Sequence, residues 1–267
     1  MNSQRIHPLH KSFAEHPVRT AVAVTAVFFL ATGGVREAVK ALLALGVHQD
    51  QIAAAIQQGV LALAFLALLV RMGWANRAGI TSRVKLNPGR WLLPITLSGF
   101  LPIIGLIETD WSQRRQIVVS IFDFLTTALV EELAFRSLIL SGLLLGLRNQ
   151  SRSPFRAVVI SAILFGLPHI HPVIIVFATI YGLGFAHVTI ATRSIWPAVA
   201  VHAAFDLFTD LPQSTADASN DLLIGAALLL VLTGAIVVLR RAWQVTPEMV
   251  LHNRVEPNDH PRSAPLL

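Results

Sequence analysis

Apolar residues along this chain gather into runs near 20–46, 52–70, 91–108, 117–147, 157–170, 173–192, 195–212 and 222–239, parted by short charged segments. Wound as α-helix, most of these runs are long enough to cross the hydrocarbon core of a bilayer. The pattern predicts an all-α fold, a polytopic membrane helical bundle of about eight transmembrane helices. The run at 157–170 is short, and Pro168 and Pro172 bracket His169 and His171 where it meets the next run. The backbone there is predicted to bend or break, since proline removes a helical hydrogen bond.

The polar segments between the runs carry the topology. Lys and Arg concentrate in 1–19, 71–90, 148–156, Arg193 and 240–267, whereas the alternate segments hold only Arg114 and Arg115. Basic residues accumulate on the cytoplasmic side, which predicts both termini in the cytoplasm and a place in the cell membrane. Residues 1–19 lack the apolar core and cleavage site of a secretory signal and read as a cytoplasmic tail. Residues 20–239 form the bundle, and 240–267, rich in Pro, Asn and charge, read as a second, disordered cytoplasmic tail. No long-period repeat or second domain is evident.

Composition agrees with this reading and narrows the chemistry. Hydrophobic residues make up 54% and charged residues 13%, with a mean hydropathy of +0.63, where soluble domains carry about 25% charged residues. The net charge of +6 belongs to the topology signal rather than to nucleic-acid binding. There is no cysteine, which excludes a disulfide framework, a thiolate-held metal and a cysteine nucleophile.

Ionisable groups within apolar runs cost about 2.5–3.5 kcal/mol each on insertion scales and normally face a bundle interior where they carry function. In 117–147 the chain reads Val130-Glu131-Glu132-Leu133-Ala134-Phe135-Arg136. Glu132 and Arg136 are four apart, on one helical face and in the favourable order for a charge pair. Glu131, about 100° round the helix, has no such local partner and is the carboxylate left for chemistry. Phe165 and His169, and likewise His202 and Asp206, share helical faces by the same spacing. Together Glu131, His169 and His202 offer a base, a group able to bind water or a metal, and a donor for a developing oxyanion. They also form a possible Glu/His/His set for a divalent metal such as zinc. Asp123, His171 and His187 lie outside these motifs and read first as bundle contacts.

The three motifs, Glu-Glu-x-x-x-Arg at 131–136, Phe-x-x-x-His at 165–169 and His-x-x-x-Asp at 202–206, resemble in type, order and placement the CPBP family of intramembrane proteases, which includes CAAX-processing, Abi and Rce1-like proteins. Gly182-Leu183-Gly184 and Ser194-Ile195-Trp196-Pro197 resemble the same core, and the resemblance covers roughly 115–212. It implies an all-helical endopeptidase acting on membrane-associated proteins or peptides, in which Glu131 and His169 activate water, His202 and Asp206 support the oxyanion side, and Glu132 and Arg136 shape the site. It implies either a metal-dependent or a metal-free glutamate mechanism and no organic cofactor. The last motif departs from the family, which often carries Asn at the position of Asp206. An ionised Asp only accepts hydrogen bonds, and the least demanding expectation is that it orients and charges His202.

Other protease signatures are missing: there is no His-Glu-x-x-His, no Gly-x-Ser-Gly, and Phe185 stands after Gly184 where an aspartyl intramembrane protease would need Asp. A proton-coupled transporter and an inactive immunity or scaffold protein are the alternative readings. The lack of two equivalent halves argues against the first of these.

Overall fold

The computed structural model describes residues 7–43, 50–82, 114–150, 152–210 and 237. Among them the chain is helical and without strands: α1 (Pro8–Glu15), α2 (Pro17–Leu43), α3 (Asp50–Arg71), α4 (Arg114–Glu132), a π-helical stretch (Leu133–Leu140), α5 (Ser141–Gly146), α6 (Ser153–Gly166), a 3-10 turn (Leu167–His169), α7 (Pro172–Thr192) and α8 (Trp196–Asp210). The predicted spans at 91–108 and 222–239 and the tail at 240–267 lie outside the described residues. Within them, Pro17–Val39 and Pro172–Thr192 are long and apolar enough to cross a membrane, and Ile56–Arg71 and Ser153–His169 are shorter apolar helices. The segment predicted as a polar leading tail contains α1 and the start of α2.

The helix starts follow local chemistry. Proline opens α2 and α7 and stands in the first turn of α6, where its missing N–H has no intrahelical partner to lose. The predicted break between the fifth and sixth apolar runs falls at Leu167–His171, and α6 and α7 fold back on each other across it. The approach is close enough that a Cβ on Gly166 would lie 2.7 Å from the Ile175 carbonyl oxygen.

The run at 117–147 is one rod interrupted by a π-helical stretch, with α4 leading in and α5 leading out. Such stretches are rare and often mark functional sites. Side-chain hydroxyls donate to carbonyls here: Ser161 Oγ reaches the Phe135 carbonyl at 3.2 Å and Ser141 Oγ that of Arg136 at 3.3 Å. The π stretch sits at the centre of the packing. Phe28 of α2 meets Phe135 edge-on at 5.6 Å, Phe135 meets Phe165 of α6 at 5.2 Å, and Phe165 meets Phe185 of α7 at 6.1 Å, all near perpendicular. Edge-to-face pairs of this kind contribute about 0.5–1.5 kcal/mol each beyond area burial.

Around this core, α3 and α8 pack against α4, and α7 packs against α8. Val118, Ile121, Phe122 and Leu125 line an exposed face of α4, and Val60, Leu63 and Val70 are exposed on α3. Apolar side chains at these helical spacings suit contact with lipid tails.

Candidate active site

The rod formed by α4, the π stretch and α5 delivers Glu131, Glu132 and Arg136, the end of α6 delivers Phe165 and His169, and α8 delivers His202 and Asp206. Glu132 and Arg136 are both fully buried, with Arg136 Nε 3.2 Å from Glu132 Oε2, so the pairing expected from their spacing is present. The second oxygen of Glu132 lies 3.0 Å from Nδ1 of His202. Glu132 thus ties the motif of one helix to the motif of another, with a guanidinium on one side and an imidazole on the other.

The other imidazole nitrogen of His202 faces the remaining carboxylates. Nε2 is 3.4 Å from Asp206 Oδ2 and 3.7 Å from Glu131 Oε2. The side chains of Glu131 and Asp206 are each 22% exposed, against 0% for Glu132 and 5% for His202. The two outer acids can therefore reach a substrate or water, whereas Glu132 cannot. This difference separates two adjacent glutamates into an outward-facing carboxylate and a buried brace.

His169 is placed differently. It ends the 3-10 turn, is exposed, and its Nδ1 lies 3.2 Å from the Gly166 carbonyl oxygen. Its ring contacts Phe165 at 5.7 Å, and Phe165 in turn contacts His202 at 5.5 Å. The shared face expected for Phe165 and His169 is present, but among the described residues it is the Phe165 ring that stands between His169 and His202. Just beyond it, Ile170 adopts φ 61 while the His171 N–H lies 2.6 Å from the His169 carbonyl oxygen. This is a tight γ-type turn, which is strained for a β-branched residue.

The conditional metal set of Glu131, His169 and His202 is not gathered by this geometry. Among the described residues no group of three or more His, Asp or Glu side chains is arranged to hold a metal ion. Of the three donors, His169 is oriented by its own helix end and His202 is engaged at both nitrogens by carboxylates.

Two features carry no signal in the motifs. Phe185 stacks on the His202 imidazole with ring centroids 4.6 Å apart and planes inclined by 21°. It is one aromatic among apolar residues in the 173–192 run, and nothing in its spacing marks it. The π-helical geometry around Arg136 is likewise invisible in a run of apolar residues.

The helices thus bring two partly exposed acids, a buried brace glutamate, an arginine and an imidazole together, a set able to exchange protons and to stabilise developing charge. Residues 113–208 match the family model described as type II CAAX prenyl endopeptidase Rce1-like, so this stretch of the chain is similar to the CPBP/CAAX proteases. The family is one of integral membrane proteases. No curated protein and no solved structure matches the chain.

Proposed function

We propose that the protein is a multi-pass intramembrane endopeptidase that uses a water activated by Glu131 to cut peptide bonds of membrane-associated, CAAX-type protein or peptide substrates. The observation that carries this reading is the division between the glutamates: Glu132 is buried between Arg136 and His202, while Glu131 is partly exposed beside His202 Nε2.

In the proposed reaction the Glu131 carboxylate takes a proton from water as the water oxygen attacks the scissile carbonyl carbon. His202, held at Nδ1 by Glu132, turns Nε2–H from its longer 3.4 Å contact with Asp206 toward the oxyanion as charge develops. Collapse of the tetrahedral adduct breaks the C–N bond, and the proton held by Glu131 passes to the leaving amine. His169, with Nδ1–H donated to the Gly166 carbonyl, keeps Nε2 as an acceptor that positions the water. No step is routed through a metal, because the third donor is not gathered with the other two.

The exposed apolar helix faces support a bundle embedded in a membrane, and the apolar runs of the sequence support about eight spans in the cell membrane. The distribution of Lys and Arg in the sequence supports cytoplasmic termini. The test is cleavage of membrane peptides, with and without a prenylated CAAX end, by detergent-purified protein and its His169→Ala variant. Cleavage by the wild type with a loss of about 100-fold or more in the variant is expected. Equal cleavage by both would remove His169 from the mechanism.

A further inference from the structure

His202 meets a carboxylate at each ring nitrogen, Glu132 3.0 Å from Nδ1 and Asp206 3.4 Å from Nε2. Contacts at the two nitrogens alone leave the ring free to tilt about the line joining them. The nearly parallel face of Phe185 at 4.6 Å blocks that tilt on one side, and Phe165 meets the ring edge-on at 5.5 Å and 77°.

Arg136 poses a second problem. Its guanidinium is fully buried, and among the described residues Nη1 and Nη2 have no hydrogen-bond partner. A buried cation with idle donors is costly unless something polarisable faces it. Its Cζ lies 4.7 Å from the centroid of Phe165 and 5.7 Å from that of Phe185, both within cation–π range. A Cβ on Gly182 would come 3.2 Å from Phe165 Cδ1, so the absence of a side chain there admits the Phe165 ring beside Phe185.

We propose that Phe185 is a positioning residue of the site, holding the His202 imidazole and the Arg136 guanidinium in register through the electron-rich face of its ring. A fourth acid in that place would also attract both groups, but it would add a buried charge and compete with Glu131. A ring quadrupole attracts cations without changing the net charge. A leucine would fill the space and supply no such field. Helix α7 contributes through this ring although none of the three motifs lies on it.

The kinetic arm of the test rests on the peptidase reading; a spectroscopic arm does not. Full-length protein is made with phenylalanine, mono-, di- and trifluorophenylalanine at position 185, a series that drains the ring face while barely altering its size. Expected is a stepwise fall in kcat, roughly tenfold over the series, with KM within about twofold and with Phe185→Trp retaining activity. In parallel, the His202 ring signals, assigned by their loss in His202→Gln, shift progressively along the series.

A kcat and ring signals that stay constant across the fluorinated series would overturn the proposal and leave Phe185 as a packing residue. If the unmodified protein cuts no substrate, the peptidase reading falls, and the His202 signals alone decide: progressive movement upholds the role of Phe185, and constancy overturns it.

Discussion

The Nδ1 of His202 lies 3.0 Å from a carboxylate oxygen of Glu132 whose other oxygen is 3.2 Å from Arg136 Nε. Through this link a residue of α8 is held by the same buried acid that neutralises the arginine of the π stretch. Removing one partner of a buried pair leaves an uncompensated charge, at a cost of about 3–5 kcal/mol. Glu132→Gln is therefore expected to lower thermal stability markedly as well as activity. Glu131→Gln, at a partly exposed position, is expected to leave the melting temperature within a few degrees of wild type. Differential scanning fluorimetry of both variants in one detergent checks the contrast.

Asp206 is expected to tolerate an amide. Asn offers a side-chain carbonyl that accepts from His202 Nε2–H as a carboxylate does, so Asp206→Asn keeps activity within about tenfold. Asp206→Leu removes the acceptor and loosens the imidazole, with an expected loss of about 100-fold. Measured kcat values for the pair separate an orienting acceptor from a required charge, since equal losses would mean that the charge itself is needed.

Gly166 holds α6 against α7 at the turn that carries His169. A valine there meets the Ile175 carbonyl and the Thr179 side chain, and overpacking of this kind costs about 1–3 kcal/mol. The expected result for Gly166→Val is a lower melting temperature together with a fall in activity, as the turn moves His169. A stable, fully active variant would contradict the assigned packing.

Helix α1 is expected to respond to pH. Phe13 is fully buried against α5, and a Cβ on Gly142 would come 2.5 Å from its ring, so the end of the rod is shaped for this phenylalanine. His10 packs edge-on to Trp74, with Nε2 3.3 Å from Arg77 Nη1. Burial first, then the charges of Arg77 and Arg148, hold His10 below its usual 6.5. The docked state thus binds fewer protons than the undocked one, so docking is full above about pH 6.5 and weakens as pH falls below it. A spin label on a single Glu15→Cys, in a chain with no native cysteine, should gain mobility between pH 7 and about 5. The same label on His10→Gln should show no such transition.

Much of this was legible from side-chain placement along the chain. The apolar runs locate α2, α3, the long rod and α6 to α8, and Pro168 and Pro172 mark the break. Four-residue spacings identify the Glu132–Arg136 and His202–Asp206 pairs because both members lie on one helix. The Glu132–His202 link joins residues 70 apart, and no local periodicity encodes it. Phe185 and Phe13 escape for a related reason: an apolar residue in an apolar or amphipathic stretch acquires a role only from what tertiary packing sets beside it. The π stretch escapes because α- and π-helical windings ask for the same apolar side chains.

The central claim is that Glu131 activates the water that cuts the substrate. The most direct measurement follows a membrane-peptide library, with prenylated CAAX members, by mass spectrometry after incubation with wild type and with folded Glu131→Gln in water enriched in oxygen-18. The account predicts cleavage by the wild type, one heavy oxygen in each new carboxyl end, and a rate at least about 100-fold lower in Glu131→Gln. Cleavage by Glu131→Gln at the wild-type rate, or no cleavage by either protein, would contradict it.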